Sequence, residues 1–144
     1  MRRLCMIVGL SLGLAASGCA RDPAAKRADV QGRWRAVTAE RNGAPAPDLV
    51  GHELTFTGDR FRITSNGRLL FGGPYTIDPS ARPPRIDLRQ EEGDTLRGTW
   101  RGIYRLRGGA LEIVDNAPDM SKPAPVRFST WPGSGYVLVR FVPN

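Results

Sequence analysis

Few residues in this chain are equipped for chemistry. Among 144 residues there is one histidine, His52, and two cysteines, Cys5 and Cys19. A structural zinc site takes four Cys or His ligands, and a disulfide framework needs several cysteine pairs; this inventory excludes both. Histidine catalysis needs a nucleophile or carboxylate within hydrogen-bond reach. No motif supplies one for His52, which follows Gly51 at a strand start and reads as an ordinary exposed or loop histidine. From Gln31 onward the sequence carries no nucleophile-elbow, metalloprotease, phosphate-loop or dinucleotide fingerprint. Asp87 with Glu91 or Glu92 would make an acid–base dyad, but alternation sets Asp87 beside Arg85 and Arg89 and favours a cross-strand ion pair. Asp115 and Asp119 lack the spacing of a calcium loop. The expectation is a non-enzymatic chain with no catalytic residue, no metal and no cofactor.

The elements that would position any site are strands. From Gln31 onward the dominant hydrophobic period is two, the signature of a strand with one buried face. In Thr95 to Arg107 the even positions carry Leu96, Gly98, Trp100, Gly102, Tyr104 and Leu106, and the odd positions carry Arg97, Arg101, Ile103, Arg105 and Arg107. Glycines at 98 and 102 in so long a run fit a bent barrel strand. The same alternation predicts strands near 32–39, 52–57, 60–65, 69–77, 85–90, 110–115, 126–130 and 135–141, besides 95–107. Asn66-Gly67 is a strong two-residue hairpin signal, and Thr57-Gly58-Asp59 and Arg107-Gly108-Gly109-Ala110 mark further turns. No convincing helix is present, only a turn within Ala44–Leu49. The fold expected over residues 31–144 is all-β: an antiparallel up-and-down barrel of about eight or nine strands, since closure removes exposed edges. An open sandwich is the alternative.

The N-terminus reads as an address. Arg2 and Arg3 precede an apolar stretch, Leu4 to Ala16, of 13 residues. That is too short to span a bilayer, which needs about 20, and fits the apolar region of a secretory signal peptide. The run Leu14-Ala15-Ala16-Ser17-Gly18-Cys19 resembles the lipobox of bacterial lipoproteins, with Ala16 where Leu is commonest. That resemblance implies removal of residues 1–18, diacylation of Cys19 and a membrane anchor; an ordinary signal peptide with a chance cysteine is the alternative. Two acyl chains anchor stably where one does not. Residues 19–30 are the lipidated cysteine and a polar, Ala-rich tether. Ala20 in place of Asp leans towards the outer membrane in proteobacterial lipoproteins. The expected localisation is extracytoplasmic, lipid-anchored, facing the periplasm or cell surface.

The formal charge is +7, and 19 of the 21 basic residues are Arg. Loss of Arg2 and Arg3 leaves 19 − 14 = +5. No basic run is interleaved with aromatics, so nucleic acid is not an expected partner. The arginine face of 95–107 reads either as a solvated exterior or as a docking face for anionic headgroups or glycan polymers.

Several blocks together point to a family. Gln31-Gly32-Arg33-Trp34 carries G-x-W, and Gly58-Asp59-Arg60-Phe61, Tyr75-Thr76-Ile77-Asp78-Pro79, Pro84-Arg85-Ile86-Asp87-Leu88 and Gly102-Ile103-Tyr104-Arg105-Leu106 follow in order. Over residues 30–141 the chain resembles an uncharacterised family of bacterial extracytoplasmic lipocalin-like domains. It departs in having Arg107-Gly108-Gly109-Ala110 where G-D-x-L is usual. The resemblance implies an extracytoplasmic lipocalin-like barrel and brings no catalytic residue, cofactor or ligand. In true lipocalins the Trp of G-x-W plugs the closed end beneath a last-strand Arg, which implies that Arg140 stacks on Trp34.

A barrel of about eight strands is just wide enough to be filled or to hold one small ligand. Candidate interior binding residues are Trp34, Phe56, Phe61, Tyr75, Ile86, Leu88, Trp100, Tyr104, Leu111 and Ile113. A pocket lined by Trp100, Tyr104, Ile86 and Leu111 would point to a small apolar or amphipathic ligand. A filled interior with an apolar patch around Phe128, Trp131 and Tyr136 would point instead to an envelope protein or polymer as partner.

Overall fold

A computed structural model of the chain describes residues 29–93 and 97–144. Ten strands follow in order: β1 (Gly32–Arg41), β2 (Ala44–Pro45), β3 (Glu53–Thr57), β4 (Arg60–Ser65), β5 (Arg68–Asp78), β6 (Arg85–Gln90), β7 (Glu92–Gly93), β8 (Gly98–Arg107), β9 (Ala110–Asp115) and β10 (Val137–Pro143). Between β2 and β3 lies a single 3₁₀ turn, Pro47–Leu49. Apart from it the described residues contain no helix.

Each long strand pairs with its sequence neighbours, giving the order β10-β9-β8-β6-β5-β4-β3-β1, and β1 closes the ring against β10. The result is an eight-stranded, antiparallel, up-and-down barrel of lipocalin-like form, with β2 and β7 as short additions. Tight turns make this meander possible. Asn66 (φ 51°) with Gly67 (φ 75°) and Asn42 (φ 51°) with Gly43 (φ 79°) both take the left-handed geometry that a two-residue hairpin requires.

Inward-facing side chains form one core: Val30, Trp34, Leu54, Phe56, Phe61, Tyr75, Ile86, Leu88, Trp100, Tyr104, Leu111, Ile113 and Phe141 among them. One end is closed by the segment entering β1. The Trp34 indole N–H donates to the Val30 carbonyl at 2.8 Å. Gln31 accepts from the Gly58 N–H and donates to the Gly58 carbonyl, both at 2.8 Å. Its amide also donates to the Tyr75 hydroxyl at 2.6 Å. These bonds tie the entry segment to the β3–β4 turn, so the wall of aromatic rings behind it is sealed from water.

A second, outer core was not anticipated. Residues 116–136 form no strand, so the strand expected at 126–130 is absent. This long connection lies on the outside of β8, β9 and β10, where Ile103, Val114 and Tyr136 are buried together with Phe128 and Leu138 packed on them. Phe128 and Tyr136 therefore belong to a filled seam, not to an exposed patch; of the three aromatics only Trp131 is substantially exposed. Asn116 anchors the segment: it is fully buried, accepts from the Arg101 N–H and donates to the Lys122 carbonyl, both at 2.8 Å.

The stacking of Arg140 on Trp34 is not formed. Val139 and Phe141 pack against the interior, so Arg140 between them projects outward and is exposed. Its register partners are Thr38 and Glu112, whereas Trp34 lies opposite Pro143. Trp34→Ala is therefore expected to cost about 3–5 kcal/mol as a core truncation, and Arg140→Ala to stay within about 0.5 kcal/mol. Urea denaturation of the two variants measures both.

Candidate functional site

The interior is not filled along its whole length. Opposite the Gln31–Trp34 plug, the barrel holds a cavity of about 220 Å³. Its wall is apolar: Ala36, Leu54, Ile63, Phe71, Leu88, Trp100, Ile113, Val137, Val139 and Phe141. Arg41, Leu49, His52, Asp115, Ala117 and Pro118 complete the lining. The polar members sit where strands end. Arg41 is the last residue of β1, Asp115 the last of β9, and His52 precedes β3. In register, Arg41 pairs with Val137 and Val137 with Asp115, so Arg41 and Asp115 fall on one rung of the barrel, with His52 further along beside Ala36.

Each mouth residue has a defined state. Arg41 donates to both carboxylate oxygens of Asp48, at 2.9 and 3.4 Å. That pairing holds the Asp48 carboxyl below its ordinary pKa. Partial burial pushes His52 below the ordinary histidine value, against a smaller opposing pull from Asp48. Asp115 is the unusual group. Burial raises its pKa to about 7, and only the Ala117 N–H, donating to Oδ1 at 2.8 Å, opposes the shift. A carboxyl in an apolar wall with no cation to offset desolvation favours its protonated form. Gly102 makes room for it: a Cβ there would lie 2.6 Å from the Val114 carbonyl and 3.0 Å from the Asp115 Cβ.

Trp100 is the other unusual wall residue. It is 4% exposed and packs edge-on against Phe71, with ring centroids 5.0 Å apart. Its indole N–H has no hydrogen-bond acceptor.

All ten interior residues anticipated from the sequence are buried. Leu88, Trp100 and Ile113 line the cavity. Trp34, Phe56, Phe61, Tyr75, Ile86, Tyr104 and Leu111 pack within the core and are not part of the lining. Of the pocket expected around Trp100, Tyr104, Ile86 and Leu111, only Trp100 faces the open space. Sequence reading missed Arg41, His52 and Asp115 as lining residues. Asp115 was legible, since it continues the inward period of Leu111 and Ile113. Arg41 was not, because the register shift between Ala36 and Thr38 interrupts the alternation of β1 before it, and His52 lies ahead of its strand.

The acid–base dyad does not form. Glu91 pairs with Arg89 at 3.1 Å, and Glu92 with Arg60. Asp87 meets Arg85 of its own strand at 3.8 Å, so the expected cross-strand pair is replaced by a loose pair along β6. On the arginine face of β8, Arg105 is bound to Glu112 of β9 at 2.7 Å and lies 4.1 Å above the Phe128 ring. Among the described residues no group of three or more His, Cys, Asp and Glu side chains is placed to hold a metal ion. Cys19 and the residues before 29 lie outside the described residues, as do Thr95 and Leu96. In comparisons with protein-family models, curated proteins and solved structures, the chain matches none.

The raised Asp115 pKa has a signed consequence. The unfolded carboxyl ionises near 3.8 and the folded one near 7. Its contribution to stability is full below about pH 4 and is lost as pH rises to about 7. Asp115→Asn keeps an acceptor for the Ala117 N–H and removes the charge. It is expected to be more stable than the parent by a few kcal/mol at pH 8, with the gap closing towards pH 4. Denaturant titrations at the two pH values check the sign.

Proposed function

We propose that the protein is a lipid-anchored envelope protein whose barrel binds a small apolar or amphipathic molecule in the cavity opposite the Gln31–Trp34 plug. The observation that carries the reading is the cavity itself: an apolar wall with its few polar groups at one rim. That is the pattern of small-molecule sites, mostly apolar with a few placed polar groups. Size restricts the ligand. A dry cavity of about 150 Å³ holds benzene, so 220 Å³ suits a body of roughly nine to twelve non-hydrogen atoms. Drug-sized ligands occupy sites of about 300–1,000 Å³, and a long acyl chain is likewise too large.

The anchor rests on Arg2, Arg3, the apolar run and Cys19, and places the barrel in the envelope, with the outer membrane favoured by Ala20. Cys19→Ser is expected to move the protein from the membrane fraction to the soluble extracytoplasmic fraction, as read by fractionation. Retention in the membrane would remove the lipid anchor from the account.

A second reading keeps the barrel as an interaction module for an envelope protein or polymer. It draws on the exposed Trp131, Val126 and Leu106 on the outer surface. Native mass spectrometry of full-length protein, extracted from its own membranes, separates the two. The cavity reading expects an added mass of about 120–200 Da, from the atom count above, lost on denaturation. Val139→Phe, which fills the cavity with a ring, is expected to keep the fold and lose that mass. An unliganded mass in folded parent protein would leave the outer surface as the site of action.

A further inference from the structure

Asp115 brings an unpartnered carboxylate oxygen to the rim of the cavity. We propose that the ligand is a small organic amine, with its apolar body in the cavity and its ammonium group paired with the Asp115 carboxylate. The inference rests on the cavity-binding reading and adds the charged group that the ligand must present.

Position and bonding both point to this group. Asp115 follows Ile113 on the inward side of β9, and both residues line the cavity. Its register partners are Gly102 of β8 and Val137 of β10. Val137 lines the cavity as well, and Gly102 has no side chain to cover the carboxyl. Asp115 is only 8% exposed, yet half of its carboxyl is unused. Oδ1 accepts from the Ala117 N–H at 2.8 Å, whereas Oδ2 takes part in no hydrogen bond or ion pair. Nor is Oδ2 sealed off. Among the described residues, the buried side-chain atoms both unpartnered and closed to water are Asp87 Oδ1 and Trp100 Nε1. A water-sized group therefore reaches the free oxygen of Asp115.

The charges on the surrounding elements are directed elsewhere. Arg101 of β8 and Arg140 of β10 are exposed on the outer face. Arg41 of β1, on the same rung, is bound to both oxygens of Asp48. His52 lies further along, beside Ala36, and burial disfavours its charged form. In the segment after β9, Asp119 accepts from Ser121, and Lys122 packs along Gly135. A carboxylate with one N–H donor and no cation is short of partners, and burial accordingly raises its pKa to about 7. An ammonium supplies the missing charge and three N–H donors. At an open rim it keeps part of its own hydration, so the full penalty of burying an ion pair is not incurred. A carboxylate ligand would be repelled, and a hydrocarbon would leave Oδ2 unmet. A neutral carbonyl could bond only to the protonated carboxyl, which is depleted above pH 7.

The test uses two probes of the same shape, benzylamine and ethylbenzene, which differ in ending in NH₃⁺ or CH₃. Dissociation constants are measured by NMR titration of the full-length chain and of Asp115→Asn, at about pH 5.5 and pH 8. In the parent, benzylamine is expected to bind roughly ten-fold or more weakly at the lower pH, because protonation of Asp115 removes its partner. Ethylbenzene has no charge and should not follow pH. Asp115→Asn is expected to weaken benzylamine about ten-fold or more at pH 8 and to abolish its pH dependence, with ethylbenzene binding as it does to the parent. Bound benzylamine should also lower the titration midpoint of the Asp115 carboxyl carbon by about one pH unit or more, since ten-fold in affinity is one pKa unit. Should the variant not fold, that midpoint in the parent decides. Equal benzylamine binding at both pH values or in both proteins overturns the amine proposal and leaves the cavity reading intact, as does binding of ethylbenzene alone. Binding of neither probe to the parent at millimolar concentration overturns both.

Discussion

Strand β1 is the element on which the rest depends. It pairs with β3 on one side and β10 on the other, and without both ladders there is no barrel. It cannot serve both partners along its whole length. Its ladder with β3 covers only Gly32 to Arg35, whereas its ladder with β10 runs from Trp34 to Arg41. A register shift between Ala36 and Thr38 marks the change, and an extra residue at such a point bends a strand and sharpens its twist. Beyond it, Ala36 is held by the segment before β3: its N–H donates to the His52 carbonyl at 2.9 Å and its carbonyl accepts from Gly51 at 2.8 Å. The wall opposite β10 is then continued by the 3₁₀ turn, which brings Leu49 and His52 to the cavity in place of strand residues.

Two different interiors follow from that divergence. Where β1 is paired on both sides, aromatic rings meet: Phe56 and Tyr75 lie with centroids 4.6 Å apart, and Gln31 fixes the hydroxyl of Tyr75. Where β1 has left β3, the inward residues are Ala36, Val137 and Val139, too small to reach across. Close packing at one end and open space at the other are two outcomes of one ring of strands, decided by side-chain size along β1 and β10.

Much of the barrel was legible in the sequence because a period of two reports directly on which face is buried. The strand at 85–90 was placed to the residue, and so was 60–65. The misreadings share a cause. Ile103 stands among arginines on the outward face of β8, and Val114 stands outward on β9. Two apolar residues on a face taken as solvated were the signal that something covers it. The covering segment, 116–136, has no period of its own, and its apolar Val126 and Phe128 passed for a strand. The Arg140 stack was inferred from resemblance alone, and the alternation of Val139 and Phe141 already opposed it. The cavity was beyond reach for a different reason: alternation says that a side chain points inward, but not whether another side chain fills the space ahead of it.

The cavity also bears on how stability and binding are coupled. An unfilled apolar cavity costs about 24 cal/mol per Å³ in a closed core. Applied to 220 Å³, that is at most about 5 kcal/mol, and less here because the rim is open. A small domain has only about 5–15 kcal/mol of stability in total. A barrel with this much forgone packing, a carboxyl that folding forces towards its neutral form and an unmet indole donor carries three deficits in one place. On the proposed reading, a small molecule in the cavity would restore the missing packing, so occupancy and fold stability would rise together by mass action. The opposite end is closed by hydrogen-bonded packing at Gln31 and Trp34, so closure of the ring there does not depend on the cavity.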